Sequence, residues 1–208
     1  MKPFRMSLFL SSYLLLFSYT VCTLLAYLNY RLDFSPLNNW LSDLGNKVLD
    51  PAGAIFYNAG IFISAFWLLT FFLGFSTVKG GENKLQGLMV LLAQLFGIAG
   101  CAAMALSAFF TIDDPGPHSF LSAVLDISRG TAFAFSVAAL RYNPKWPRGL
   151  LLLGLLATSF DLLASVFFNN LPVFEWITVT LFLAYVVSIG VWMKCRQSNS
   201  AIFGSNDL

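Results

Sequence analysis

Charge is scarce in this chain: Asp, Glu, Lys and Arg together supply only 11% of 208 residues, where a soluble domain usually carries about 25%. So few charges cannot cover a water-facing surface of this size, which excludes an ordinary soluble domain. Cysteine is nearly absent, with Cys22 and Cys101 inside apolar stretches, Cys195 after the last one and no Cys-x-x-Cys pair. A lone histidine, His118, cannot complete a His-rich metal site. Redox, P-loop, dinucleotide-binding, haem and zinc signatures are missing. No internal repeat stands out, which gives no support to an inverted-repeat transporter.

What the chain has in abundance is apolar sequence, at 58% of residues and a mean hydropathy of +0.74. It gathers into six runs, at about 8–30, 52–78, 85–112, 118–141, 149–170 and 172–194. Each approaches or exceeds the roughly 20 residues that cross a hydrocarbon core about 30 Å thick. Pro51, Pro115, Pro117, Pro144, Pro147 and Pro172 punctuate them. The expected fold is all-α: a polytopic integral membrane protein with a six-transmembrane-helix bundle over residues 1–196 and a flexible tail over 197–208. The first run is too long for a signal-peptide core and reads as a retained helix.

Orientation follows from the basic residues. Lys2, Arg5, Lys79, Lys84, Arg141, Lys145, Arg148, Lys194 and Arg196 fall on one side, and only Arg31 and Lys47 on the other. Both termini are therefore expected in the cytoplasm. The formal charge of +2 implies no nucleic-acid partner, because the basic residues flank membrane runs. Trp40, Trp146, Trp176 and Trp192 sit where an interfacial aromatic belt would. Gly97, Gly100 and Ala103 permit close backbone approach and suggest a central third helix.

The polar residues gather on the non-cytoplasmic half. In the first loop, Leu37, Trp40, Leu41 and Leu44 recur at three- and four-residue spacing, predicting a short amphipathic helix. Asn38, Asn39, Ser42 and Asp43 would then face the bundle; equally, Ser42 and Asp43 would cap a turn ending at Gly45. In the fourth run, His118, Ser122, Asp126 and Arg129 are four, four and three residues apart, which places them on one helical face. Thr158, Asp161, Ser165 and Asn169 share a face of the fifth. Counting 1.5 Å per residue, Asp126, Arg129 and Asp161 lie about 12–16 Å below the outer end. Each would cost about 2.5–3.5 kcal/mol facing lipid, so an Asp126–Arg129–Asp161 network inside the bundle is expected. The competing reading is a structural clamp between two helices, although apolar packing could replace such a clamp at little cost.

Asp113, Asp114 and His118 crowd the loop before the fourth helix. Histidine as a residue type suits acid–base work, which makes His118 a candidate; the alternative is that Asp114 and His118 simply begin a helix in water. No cofactor signature is present, and the one ion these residues admit is a divalent cation on Asp43, Asp114 and His118.

Ser42-Asp43-Leu44-Gly45, then Pro51, Asn58 and Gly60, then Phe110, Asp114 and His118, resemble the domain-of-unknown-function family 998. Thr111 stands where that family's pattern has proline. The likeness covers roughly residues 30–125. It implies a prokaryotic cytoplasmic-membrane protein, distantly similar to the six-helix group that includes fibroblast-growth-factor-receptor-activating, autophagy-modulator and GPI-remodelling proteins. That wider similarity implies lipid-related work at the level of fold alone.

Three functions are therefore expected in competition. The first is a binder, or modifier, of a lipid headgroup or small polar ligand, with Asp43, Asp114 and His118 as catalytic candidates. Ser42, Asn58, Ser122, Asp126, Arg129 and Asp161 would hold the ligand, Arg129 taking an anionic group such as phosphate. The second is a proton or ion transporter using Asp126 and Asp161, and the third a scaffold without substrate. Membrane lipids and a second copy of the chain are the partner classes admitted.

Overall fold

The computed structural model describes residues 3–167 and 171–202. Six α-helices carry it: α1 (Pro3–Asn29), α2 (Pro51–Gly74), α3 (Lys84–Ser107), α4 (Pro115–Arg141), α5 (Arg148–Phe167) and α6 (Pro172–Ile202). All six are long and apolar enough to cross a membrane, and among the described residues there is no strand. This is the architecture of a polytopic helical membrane protein. Two short 3-10 turns, Leu41–Gly45 and Phe75–Val78, complete it.

Helix ends follow local chemistry. Pro51 and Pro115 open α2 and α4, where the first amide has no intrahelical acceptor and its loss costs nothing. The same reasoning explains why α4 starts at Pro115 rather than at 118: Pro117 also lies within the first turn. Asn83 caps α3 by accepting from the Leu85 and Gln86 amides. That helix ends at Ser107, short of the expected 112, because the Leu106 carbonyl accepts from both Phe109 and Phe110 and turns the chain. At the other extreme α6 continues as helix to Ile202; no Pro or Gly lies between Gly190 and Gly204 to end it.

Each helix packs on its neighbours in the chain, and α6 closes on α1. The result is a ring with α3 as one member between α2 and α4, not at the centre. Small residues serve those contacts. A Cβ on Gly97 would lie 2.3 Å from the Phe72 ring, and one on Gly190 would lie 2.1 Å from Ser12 Oγ. Ser18 and Ser64 bond across α1 and α2 at 3.0 Å. Many of the outward side chains are large and apolar, among them Phe17, Leu28, Ile55, Phe66 and Leu152, as a lipid-facing surface requires.

The two ends of the ring differ. At the end carrying loops 79–83 and 142–147, Phe75, Val78, Val90, Leu140, Tyr185 and Ile189 are buried in a packed core. Gln86 seals it, donating to the Ala139 carbonyl at 3.0 Å and accepting from the Gly80 amide at 3.1 Å. Trp146 belongs to this core, buried rather than interfacial, because the turn after α4 folds it inward through the Trp146 amide and Asn143 carbonyl. The opposite end, under residues 30–50, is hollow.

Candidate functional site

The hollow is a cavity of about 750 Å³ walled by all six helices and roofed by the first loop. Its polar wall is assembled mainly from α4. The four-, four- and three-residue spacing brings His118, Ser122, Asp126 and Arg129 to the lining together. Asp161 and Ser165 approach from α5, Asn58 from α2 and Ser42 from the roof. Seven of the residues expected at a site therefore share one space.

Arg129 is the centre of the charge network. Its Nη2 donates to Asp126 Oδ1 at 2.8 Å, and its Nε to Asp161 Oδ1 at 3.1 Å. A second bond from Nη2 reaches the same Asp161 oxygen. Both α5 contacts thus fall on Oδ1, and Asp161 Oδ2 is buried without a hydrogen-bond partner. Burial is unequal: the Arg129 and Asp161 side chains are 12% and 3% exposed, that of Asp126 37%. Asp126 is the member that meets the cavity most openly. With two carboxylates already on Arg129, an anionic ligand there would have to compete with both.

The roof explains most of the remaining candidates. The first loop forms a single 3-10 turn, Leu41–Gly45, with Leu41 and Leu44 buried, where a short amphipathic helix was expected. Asp43 Oδ2 accepts from the Trp40 amide at 2.9 Å, so its side chain closes its own turn. Burial pushes the Asp43 carboxyl above the usual carboxylate range, against the pull of the Trp40 amide, Asn39 and His118. Asn58 Nδ2 donates to the Gly45 carbonyl at 3.1 Å and fixes the end of that turn to α2. Tyr57 and Asn58 leave room for only a hydrogen at Gly45, where a Cβ would meet Asn58 Oδ1 at 2.6 Å.

Asp114 and His118 separate. Asp114 is exposed at the N-cap of α4, makes no side-chain cap bond and does not line the cavity. His118 is half-buried on the wall, its Nδ1 3.2 Å from the Phe110 carbonyl. Among the described residues no three His, Cys, Asp or Glu side chains come together in a way that could hold a metal ion. Asp43, Asp114 and His118 therefore do not form a cation site here. Asn169 lies outside the described residues.

Three wall residues, Glu175, Tyr19 and Tyr57, were not expected at a site. Glu175, one turn into α6, accepts from the Leu41 amide at 2.7 Å and also from the Ser42 amide, so it caps the roof turn from the opposite side of the molecule. Its neighbour Trp176 donates from Nε1 to the Asn39 carbonyl at 3.1 Å. Tyr19 and Tyr57 pair through their hydroxyls on the α1–α2 side and line the same space. The signal for Glu175 was its place inside an apolar run; nothing local marked Tyr19. Comparison of this chain with family models, with curated proteins and with solved structures finds no match.

Proposed function

We propose that this chain is an integral membrane protein that binds a lipid headgroup or small polar ligand in a cavity opening on the non-cytoplasmic side. The observation that carries the reading is the meeting of Ser42, Asn58, His118, Ser122, Asp126, Arg129 and Asp161 on one wall system. Buried ionisable groups in a membrane bundle are expensive and tend to mark ligand or ion pathways, and a pocket of this size with few convergent polar groups is the usual form of a small-molecule site. The basic residues set the orientation: loops 79–83 and 142–147 carry Lys79, Lys145 and their neighbours, so that end faces the cytoplasm. A likeness to family 998 accords with this reading, since Ser42, Asn58 and His118, which carry it, belong to the cavity wall.

If the chain also modifies its ligand, His118 is the acid–base group, being the imidazole on the cavity wall. Proton or ion transport through Asp126 and Asp161 fits less well, because the packed core around Phe75, Leu140 and Tyr185 blocks the cytoplasmic half.

The test is native mass spectrometry of the full chain purified in mild detergent, with Arg129→Met and Ser122→Leu variants beside it. Retention of a bound lipid or small molecule that the variants lose supports the pocket. No retained species, with folding intact, removes it. Orientation is read separately from single cysteines at positions 47 and 145 with Cys22, Cys101 and Cys195 replaced: an impermeant maleimide applied from outside should label position 47 alone.

A further inference from the structure

We infer that the ligand of this cavity carries a positively charged ammonium group, such as the amine of an aminolipid headgroup or the same amine free in water. The inference rests on the pocket reading above and specifies its chemistry.

The charge inventory points that way. Among the described residues, three carboxyl groups, Asp126, Asp161 and Glu175, line the space against the single guanidinium of Arg129, and no other Lys or Arg lines it. The guanidinium is shared between two of them. An entering phosphate would have to displace Asp126 or Asp161 from the guanidinium, whereas a cation meets carboxyl acceptors already in place.

A second observation is independent of the count. Asp161, a residue of the cavity wall, is 2% exposed, and its Oδ2, beside Gly130 of α4, has no hydrogen-bond partner. A buried carboxylate oxygen without a donor is costly, and a protonated amine supplies the missing donor. Asp126, the most exposed of the three, offers the entry contact.

The wall is also aromatic where it is not acidic: Tyr19, Trp40, Tyr57 and Phe174 contribute to it. Aromatic faces beside carboxylates suit an ammonium group through its attraction to the ring quadrupole. Neither the tyrosines nor the tryptophan would favour an anion in the same way.

The experiment offers the full chain in detergent equal mole fractions of phosphatidylethanolamine and phosphatidylglycerol, and reads bound species by native mass spectrometry. A parallel calorimetric titration uses free ethanolamine and inorganic phosphate. Phosphatidylethanolamine retained over phosphatidylglycerol, or ethanolamine binding without phosphate binding, supports the inference. The first result names a lipid source and the second a soluble one. Glu175→Gln keeps an acceptor for the Leu41 amide, and Asp126→Asn leaves the Arg129–Asp161 pair intact, so both variants should fold. Each should weaken amine binding by about thirtyfold or more. Equal binding in both variants, or preference for phosphatidylglycerol and phosphate, overturns the ammonium assignment. A preference for the anionic species that is lost in Arg129→Met would leave the pocket standing without it. Failure of every species to bind removes both.

Discussion

Replacing Arg129 with Met should cost about 3–5 kcal/mol of stability, the range for stripping one partner from a buried ion pair. Most of that loss belongs to Asp161, whose side chain is 3% exposed and would be left charged or forced to take a proton. The Asp126 share is smaller, since at 37% exposure cavity water can solvate it. The companion variant Arg129→Met/Asp161→Leu removes both buried charges together. Apolar replacement of a whole pair is often neutral, so the double variant should return to within about 1–2 kcal/mol of the unaltered chain. Reversible unfolding in mixed detergent micelles measures all three states, and Asp161→Leu alone closes the cycle. A double variant that costs the sum of the two single ones would mean that the groups do not interact, and the argument from a coupled network would fail.

Other perturbations probe the roof, the ring and the outer loops. Glu175→Leu deletes the acceptor for the Leu41 amide at 2.7 Å. Leu41 and Ser42 should then exchange amide hydrogen faster and Lys47 be cut sooner by trypsin, while Glu175→Gln stays near the unaltered rates; a slow-exchanging Leu variant would rule out the latch. Gly190→Ala places a Cβ 2.1 Å from Ser12 Oγ and 3.1 Å from the Leu8 carbonyl. Because part of that obstacle is backbone, the unfolding measurement should show a loss of about 1–3 kcal/mol, and unchanged stability would mean that α6 and α1 can part without penalty. Asp113 responds to pH. Burial works to raise its carboxyl, but the Thr111 hydroxyl, the Lys47 amide and the Lys47 charge outweigh it and hold the group below the usual range. A depressed carboxylate adds stability above its unfolded value of about 3.9 and loses it as pH falls through the folded value. Exchange at the Lys47 amide, 3.2 Å from Asp113 Oδ1, should accelerate below that range in the native chain. In Asp113→Asn the acceleration should be absent.

Much of the helical framework was legible because length and hydropathy are properties of contiguous sequence. The polar face of α4 was legible for the same reason: His118, Ser122, Asp126 and Arg129 are related by one helix period. Asp161 could be matched to Arg129 because antiparallel neighbours at equal depth have few other partners for a buried charge. Other features depended on contacts between distant segments. Glu175 meets Leu41 across 134 positions, and Trp176 meets Asn39 across 137; no local pattern encodes which loop lies over which helix. Asp43 stood out as a catalytic candidate, but its bond to the Trp40 amide is a feature of the folded loop that spacing alone does not foretell. The small residues of α3 correctly marked close approach, yet close approach to two flanking helices differs from a central position, and only the ring distinguishes them. Asp50 resists explanation: it is 1% exposed and neither carboxylate oxygen has a hydrogen-bond partner.

The closure of α6 on α1 has a bearing on biogenesis. Helices enter the bilayer in chain order as the ribosome delivers them, and association follows insertion. A ring completed by its first and last members has an open seam until the sixth arrives, and Glu175 and Trp176, which pin the roof, arrive with it. The nascent five-helix intermediate therefore exposes Arg129 and its carboxylates through the gap, with segment 31–50 held only toward its far end, by Asn58 and Asp113. Stalling translation before Pro172 should leave that segment open to protease, and release of the full chain should protect it.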